Sequence, residues 1–371
     1  MTAFSDRLKG ALYGIAIGDA MGAPVEGWPS DQILEAFPDH DFSEFLPVTH
    51  GGDPASGKGD GRITDDTLMT EALIRAYGRC GDHLDAYGFR DYFVPEFTQV
   101  EVWVPERCKK MVLLERLNPI ERYTVARLMS FGAYPRHAGI GNSIDCGVAM
   151  YIMPVGAVNA GDPSSAFAEA ISLAMTETDS YAVEAAGVLA AAYAEAFAED
   201  ASVDQVCARA QKSARDGTGE AIVAVLAAAS PEADLRTFIE QVRQAFIPYD
   251  PQTNGTAGDT SLANAHQPSR LLSIEEVPVA LAALKYGAGD FLKTVRAAVC
   301  YGRDCDSIAG MACGLYGAIF GDRAIPRSLC DACDRANRRN FAELASLFEE
   351  TIRHIHSDEV EVFDRKKRSL V

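Results

Sequence analysis

Gly302-Arg303-Asp304-Cys305-Asp306-Ser307-Ile308-Ala309-Gly310-Met311-Ala312-Cys313-Gly314-Leu315-Tyr316-Gly317-Ala318 runs from an acidic, hydroxyl-bearing start straight into an apolar segment. The apolar part predicts a helix. Gly310, Gly314 and Gly317 stand at i, i+4 and i+7, so they share one face. A glycine costs a helix roughly 1 kcal/mol against alanine. Three on one face therefore imply that other helices approach very closely. That places this helix at the centre of a bundle and holds Asp304, Asp306 and Ser307, at its N-terminus, rigidly.

Working outward, most of the chain reads as helix. Ser164 to Ala198 is rich in Ala, Glu and Leu, and strand-like runs between tight turns are scarce. Asp204 to Arg215, Leu235 to Phe246 and Phe341 to His354 alternate apolar and polar positions as helices with one buried face do. Glu220 to Ala229 is apolar nearly all round and predicts a more fully buried helix. Val183 to Ala198 carries Glu184, Tyr193 and Glu195 and reads as a core helix rather than a membrane span. Pro47 to Arg62, Arg136 to Gly147 and Pro248 to Arg270 read as loops. The last fits a functional loop over a site better than a domain linker. The expected fold is all-α, a single compact multi-helix bundle over residues 1–371, with a peripheral tail from about residue 358.

Bulk properties narrow the partners. Hydrophobic residues are 48% and charged residues 23% of 371, an ordinary globular balance. A formal net charge of −19 disfavours nucleic-acid binding, and the only dense basic run, Arg365-Lys366-Lys367-Arg368, reads as a solvated tail. Nothing near Met1 has a secretory pattern, and no membrane association is expected. Nine scattered cysteines, including a lone Cys330-x-x-Cys333, read as structural thiols in a reducing cytoplasm. The seven histidines show no ligand spacing apart from His354 and His356, which lie by the charged tail.

Hard oxygen donors concentrate in two segments. Gly61-Arg62-Ile63-Thr64-Asp65-Asp66-Thr67 precedes a helical run, and Gly302 to Ser307 precedes the glycine-faced helix. Either alone is a good helix start, since Asp, Ser and Thr are preferred N-caps and acids favour the first turn. Together they are too much for capping, because one cap needs one carboxylate and neighbouring aspartates repel. If the segments meet, four carboxylates and two hydroxyls surround one point, an arrangement favourable only around cations. All-oxygen donors suit Mg²⁺, Mn²⁺ or Ca²⁺ rather than zinc. A third segment, Gly10 to Glu26, is a small-residue helix with Asp19 inside it and Glu26 just after it. Asp19 reads as hydrogen-bonded to nearby backbone. Glu26 is a modest candidate for acid–base work, a solvated loop acid being the alternative.

Four motifs, in order, resemble the ADP-ribosylglycohydrolase family, which includes the dinitrogenase-reductase-activating glycohydrolases. They are G-x-x-x-G-D-A-M-G-x-P-x-E at Gly14 to Glu26, I-T-D-D-T at Ile63 to Thr67, A-M-Y-I-M-P-V-G at Ala149 to Gly156, and G-R-D-C-D-S-I-A-G at Gly302 to Gly310. The resemblance implies an all-α fold with two ions, usually Mg²⁺ or Mn²⁺, held by Thr64, Asp65, Asp66, Asp304, Asp306 and Ser307. It implies cleavage of an N- or O-glycosidic bond to the ribose of an ADP-ribosyl group, on a small molecule or a protein. Glu26, or a metal-bound aspartate such as Asp65 or Asp304, would handle the proton. Backbone N–H groups of the loop at Gly141, Asn142, Ser143 and Gly147, or a helix N-terminus, would compensate a diphosphate. An ordinary connector is an equal reading of that loop.

Several positions depart from the family pattern. Ser307 replaces the usual Thr and keeps the hydroxyl. Tyr151 stands where Arg is usual, and Glu177 where His is usual. The 141–147 loop is longer than the usual glycine loop. Residues 80–137 match nothing in the pattern; Val102-Trp103-Val104-Pro105 there is either a cleft wall or a buried core tryptophan. These departures leave two alternatives open: a smaller, nucleoside-like ribosyl substrate on the same metal site, or a non-catalytic ADP-ribose-binding protein.

Overall fold

Gly10, Gly14, Gly18 and Gly22 recur every fourth residue along the first helix, Phe4–Gly22. In the computed structural model this ridge lies directly on the glycine-faced helix, Cys305–Phe320. A Cβ added at Gly10 would sit 2.5 Å from the Gly317 carbonyl oxygen, and one at Gly22 would sit 2.5 Å from the Asp306 Cα. At Gly14 and Gly18 it would run into the carbonyls of Cys313 and Ala309. The two backbones touch, which only glycine permits. The central helix is buried at every position from 305 to 319, as its glycine face implies. Of its own three glycines, Gly317 meets Gly10 and Gly314 makes room for the Tyr193 ring. Gly310 has its nearest neighbour, the Ile15 carbonyl oxygen, at an ordinary 3.6 Å.

Residues 3–49, 57–249 and 272–370 are described by the structure. Helices Tyr181–Ala196, Leu272–Gly287 and Phe291–Tyr301 pack around the central pair, and Phe341–Ser369 crosses the first helix. The architecture is all-α apart from one antiparallel hairpin, Glu101–Val104 with Lys109–Val112, in register Glu101 to Val112 and Val104 to Lys109. That hairpin occupies the stretch with no counterpart in the family pattern. Trp103 is half-buried in it under the Arg338 guanidinium, 3.7 Å from the ring centroid, and does not line the cleft described below.

Several elements differ from expectation. The 164–198 segment is two helices, Pro163–Ala174 and Tyr181–Ala196. The chain turns at the polar run Thr176 to Ser180, where the Asp179 side chain accepts from the Ser180 N–H at 2.7 Å and Ser180 has φ 57°. The last helix runs on to Ser369 rather than ending near His354, and the basic run sits in its final turns, where cations suit the helix dipole. In the 220–229 helix Val223 is 53% exposed, so one face meets solvent. Residues 250–270 of the loop expected over the site, and 50–56 of the Pro47 to Arg62 loop, lie outside the described residues. All nine cysteines are free thiols, with Cys330 and Cys333 buried. Among the described residues no helix is long and apolar enough to cross a membrane.

Candidate metal centre

Both acidic segments begin helices, yet neither is used as a cap. Thr64 is the N-cap of Asp65–Cys80 and Asp304 the N-cap of Cys305–Phe320, and neither side chain makes a cap hydrogen bond. For the first helix Asp19 does that work from a distance. Its carboxylate accepts from the Thr64 N–H at 2.9 Å and the Thr67 N–H at 3.2 Å, and from the Thr64 and Thr67 hydroxyls at 2.9 and 2.5 Å. Asp19 is thus hydrogen-bonded to backbone, as its place in an apolar helix implies, though to another helix. The second helix start is aimed by a tight turn. Gly302 and Arg303 both have positive φ, 82° and 60°. The Arg303 conformation is costly for a side-chain residue. It is held by the Arg303 ion pair to Glu275 at 2.8 Å and by the Gly27 N–H donating to the Arg303 carbonyl at 2.7 Å.

The glycine contact then brings the two starts together. Asp19, Asp66 and Asp306 place carboxylate oxygens within 4.8 Å of one another, and so do Glu26, Asp304 and Asp306. The Thr64 hydroxyl lies 3.2 Å from Asp66, and the Ser307 hydroxyl is hydrogen-bonded to Asp66 and Asp304. Asp66 Oδ1 and Asp306 Oδ1 are buried with no hydrogen-bond partner among the described residues. Burial, and then the Asp19, Asp65 and Asp304 charges, push the Asp66 carboxyl well above the usual range. Burial and Glu26 do the same to Asp306. Asp65 differs, for its Oδ2 receives Arg116 at 2.8 Å and Asn118 at 3.1 Å. Buried, mutually repelling carboxylates with orphaned oxygens are what a cation would satisfy. The donor set fits hard divalent ions.

Asp65, Asp66, Asp304, Asp306 and Ser307 line a cleft of about 370 Å³, whereas Thr64 and Asp19 are buried behind it; among the described residues its lining has eight carboxylates and three cations, Lys58, Arg107 and Arg116. Glu26 is on its wall, with the Lys58 ammonium against it and 3.8 Å from Asp306. Of the loop residues expected to hold a diphosphate, Gly147 lines the cleft, and its N–H is given to Asp145 at 3.0 Å. Gly141, Asn142 and Ser143 are not on the wall. Asn142 instead ties the loop down, donating to the carbonyls of Ile120 and Glu177 at 3.1 and 2.7 Å.

Other wall residues carried no signal in the sequence. Glu121 and Asp145 face the cleft, their pKa values raised to about 8 and about 6 chiefly by burial. Glu177 lies behind them with the Tyr151 hydroxyl beside it, so the two departures from the family pattern are neighbours. Lys58, Arg116 and Cys146 become legible only because distant elements fold against the two aspartate segments.

The chain matches the ADP-ribosylglycohydrolase family over residues 1–356. It is 27% identical to the uncharacterized protein YegU of Escherichia coli K12 over 348 residues, 92% of this chain and 96% of that protein. It is 33% identical to the ADP-ribosylarginine hydrolase Tri1 of Serratia proteamaculans over 135 residues, 36% of this chain and 33% of that one. A solved structure described as an ADP-ribosylglycohydrolase-related protein complex has the same fold, with a TM-score of 0.60 over 95% of this chain and 99% of that chain at 21% identity. Matched from residue 1 to residue 356, with both acidic segments inside the match, the chain belongs to the ADP-ribosylglycohydrolase family.

Proposed function

We propose that this chain is a hydrolase dependent on two divalent cations, Mg²⁺ or Mn²⁺, that cleaves the N- or O-glycosidic bond to the ribose of an ADP-ribosyl group, free or on a protein. The observation that carries this reading is the meeting of two helix starts whose own N-cap side chains make no cap bond, and whose Asp66 and Asp306 each keep a buried carboxylate oxygen without a donor among the described residues. The proposed ligands are Thr64, Asp65, Asp66, Asp304, Asp306 and Ser307. When bound, such ions would fix ribose hydroxyls and ease deprotonation of a water. The chain's own groups do the rest. Glu26, on the cleft wall beside Lys58, holds or delivers the proton at the scissile atom. Asp65 and Asp304 face the positive charge that develops on the sugar as the bond breaks. Arg116, paired with both Asp65 and Glu106, keeps the Asp65 carboxylate oriented. A phosphate would reach loop backbone at Gly147 by displacing the Asp145 carboxylate from its N–H, and Gly141, Asn142 and Ser143 would then fix the loop's course. The nine free thiols support a cytoplasmic location.

A second reading, a smaller and uncharged riboside, is favoured by one observation. The cleft has eight carboxylates and three cations, and Glu177 and Tyr151 stand together where the family pattern has basic residues. Incubation with Mn²⁺ or Mg²⁺ and a panel of ADP-ribosylated and simple ribosides, with released sugar read by chromatography, decides between them. Release of ADP-ribose that stops with chelator supports the first reading. Cleavage of simple ribosides alone supports the second. No cleavage together with tight ADP-ribose binding overturns both in favour of a binding protein.

A further inference from the structure

Glu275 and Glu276 are neighbours on one helix and both are fully buried. Glu275 shows how this fold treats a carboxylate that serves structure: it takes Arg243 at 2.9 Å, Arg303 at 2.8 Å and the Tyr301 hydroxyl at 3.0 Å. Among the described residues neither oxygen of Glu276 has a hydrogen-bond partner. Native structures leave very few buried carboxylates in that state, since the desolvation of each oxygen goes uncompensated. Glu276 is aimed at a specific place. One of its oxygens, the Cys146 sulfur and an Asp304 oxygen lie within 4.8 Å of one another. The Cys146 Sγ is 3.0 Å from Asp304 Oδ2, and both residues open onto the cleft.

We infer that Cys146, Glu276 and Asp304 form a second kind of cation subsite at the edge of the cleft, one that takes a thiophilic divalent ion such as Zn²⁺, Co²⁺ or Cd²⁺. A sulfur donor with two carboxylates is a poor home for Mg²⁺ and a good one for borderline or soft ions. Four-coordinate zinc-type geometry sets donor atoms about 3.5 Å apart, so the three groups need a small inward closure, with water completing the shell. Binding replaces the Cys146 thiol proton by the metal and releases that proton to solvent. Asp304 is shared with the proposed hard-metal pair, so the two occupancies compete. This subsite does not rest on the substrate, and it can exist whether or not the chain hydrolyses anything.

The test uses the full chain with Cys80 and Cys108, the two thiols that are not buried, changed to Ser. Metal-free protein is titrated with Co²⁺ and followed for the near-ultraviolet sulfur-to-cobalt charge-transfer band, and Cd²⁺ affinity is measured by calorimetry. The band is expected, and Cys146→Ser removes it. Glu276→Gln weakens Cd²⁺ by roughly tenfold or more. Bound Mn²⁺, counted by its paramagnetic resonance signal, is displaced as Cd²⁺ is added. A band that survives Cys146→Ser, no band at all, or unchanged Cd²⁺ affinity in Glu276→Gln overturns the subsite. Mn²⁺ and Cd²⁺ binding without competition overturns the sharing of Asp304. A chain that shows the band but binds no Mn²⁺ keeps this subsite and loses the hard-metal reading instead.

Discussion

Asp66 and Asp306 each hold a buried oxygen that no donor among the described residues reaches, beside other carboxylates that raise the cost of charging them. An orphaned buried acceptor costs about 1–3 kcal/mol. A metal-binding role and a structural role therefore predict opposite signs for Asp306→Asn. Replacing this carboxyl, whose charging the fold disfavours, by a neutral amide should stabilise the metal-free protein by about 1 kcal/mol, while the rise in Tm on adding Mn²⁺ disappears. Thermal melts with chelator and with Mn²⁺ read both effects, and a drop in the chelator melt would mark Asp306 as structural. Glu26→Gln at saturating metal should lower kcat by about 10²–10⁴-fold; near-full turnover would take Glu26 out of proton handling. At this scale the sequence was readable wherever chemistry showed in residue type. Thr64, Asp65, Asp66, Asp304, Asp306 and Ser307 could be named from their spacing and resemblance. Asp19 as a cap for a different helix, and Glu276 as an unpaired acid beside its paired twin, could not. Their meaning lies in partners supplied by remote segments, and an isolated acid in an apolar helix looks the same in either role.

The helix pair Phe4–Gly22 and Cys305–Phe320 sets how far apart the acids stand, and its tolerance is uneven along its length. Gly14 has the Cys313 carbonyl where a methyl group would go, whereas Gly310 has 3.6 Å of room. Gly14→Ala should cost 3 kcal/mol or more, roughly the upper end for overpacking, and should weaken Mn²⁺ as the helices part. Gly310→Ala should be neutral or stabilising by up to about 1 kcal/mol, because it gains helix propensity without a clash. Denaturant melts of the two variants make the comparison; equal losses would mean that the ridge is not the close contact. The glycine face of the later helix was visible from spacing alone. The turn at residues 175–180 was less so, since an Ala-rich run gives no strong stop before Thr176, and Glu177, an acid suited to an exposed turn, is instead fully buried.

For the whole molecule, the buried acids tie stability to pH. Asp19 and Asp145 are raised from 3.8 to about 6 and Glu121 from 4.5 to about 8, all chiefly by burial. Across those intervals the folded chain keeps protons that the unfolded chain has released, so stability falls as pH rises. The metal-free protein should therefore lose Tm between about pH 5 and about pH 8, and the increment given by Mn²⁺ should grow over the same range. Scanning fluorimetry with and without chelator checks it; an increment that shrinks toward pH 8 would contradict the assignment. The far end of the last helix is a separate matter. Residues 361–370 are exposed throughout, so removing 361–371 should leave Tm within about 2 °C.

The contact of Gly10 with Gly317 also sets an order of assembly. The close neighbours of that ridge are all residues between 305 and 322, so during synthesis the first helix emerges before the surface it packs on. Asp19 can cap Asp65–Cys80 early, because all of those residues are near the beginning of the chain. Asp306 and the surface that receives the ridge are made only after the long stretch between Gly22 and Cys305, and contacts of such long range are slow to close. The cluster of Asp19, Asp66 and Asp306 therefore cannot assemble before the Cys305–Phe320 helix is made, and a chain lacking that helix has neither Asp306 nor Ser307.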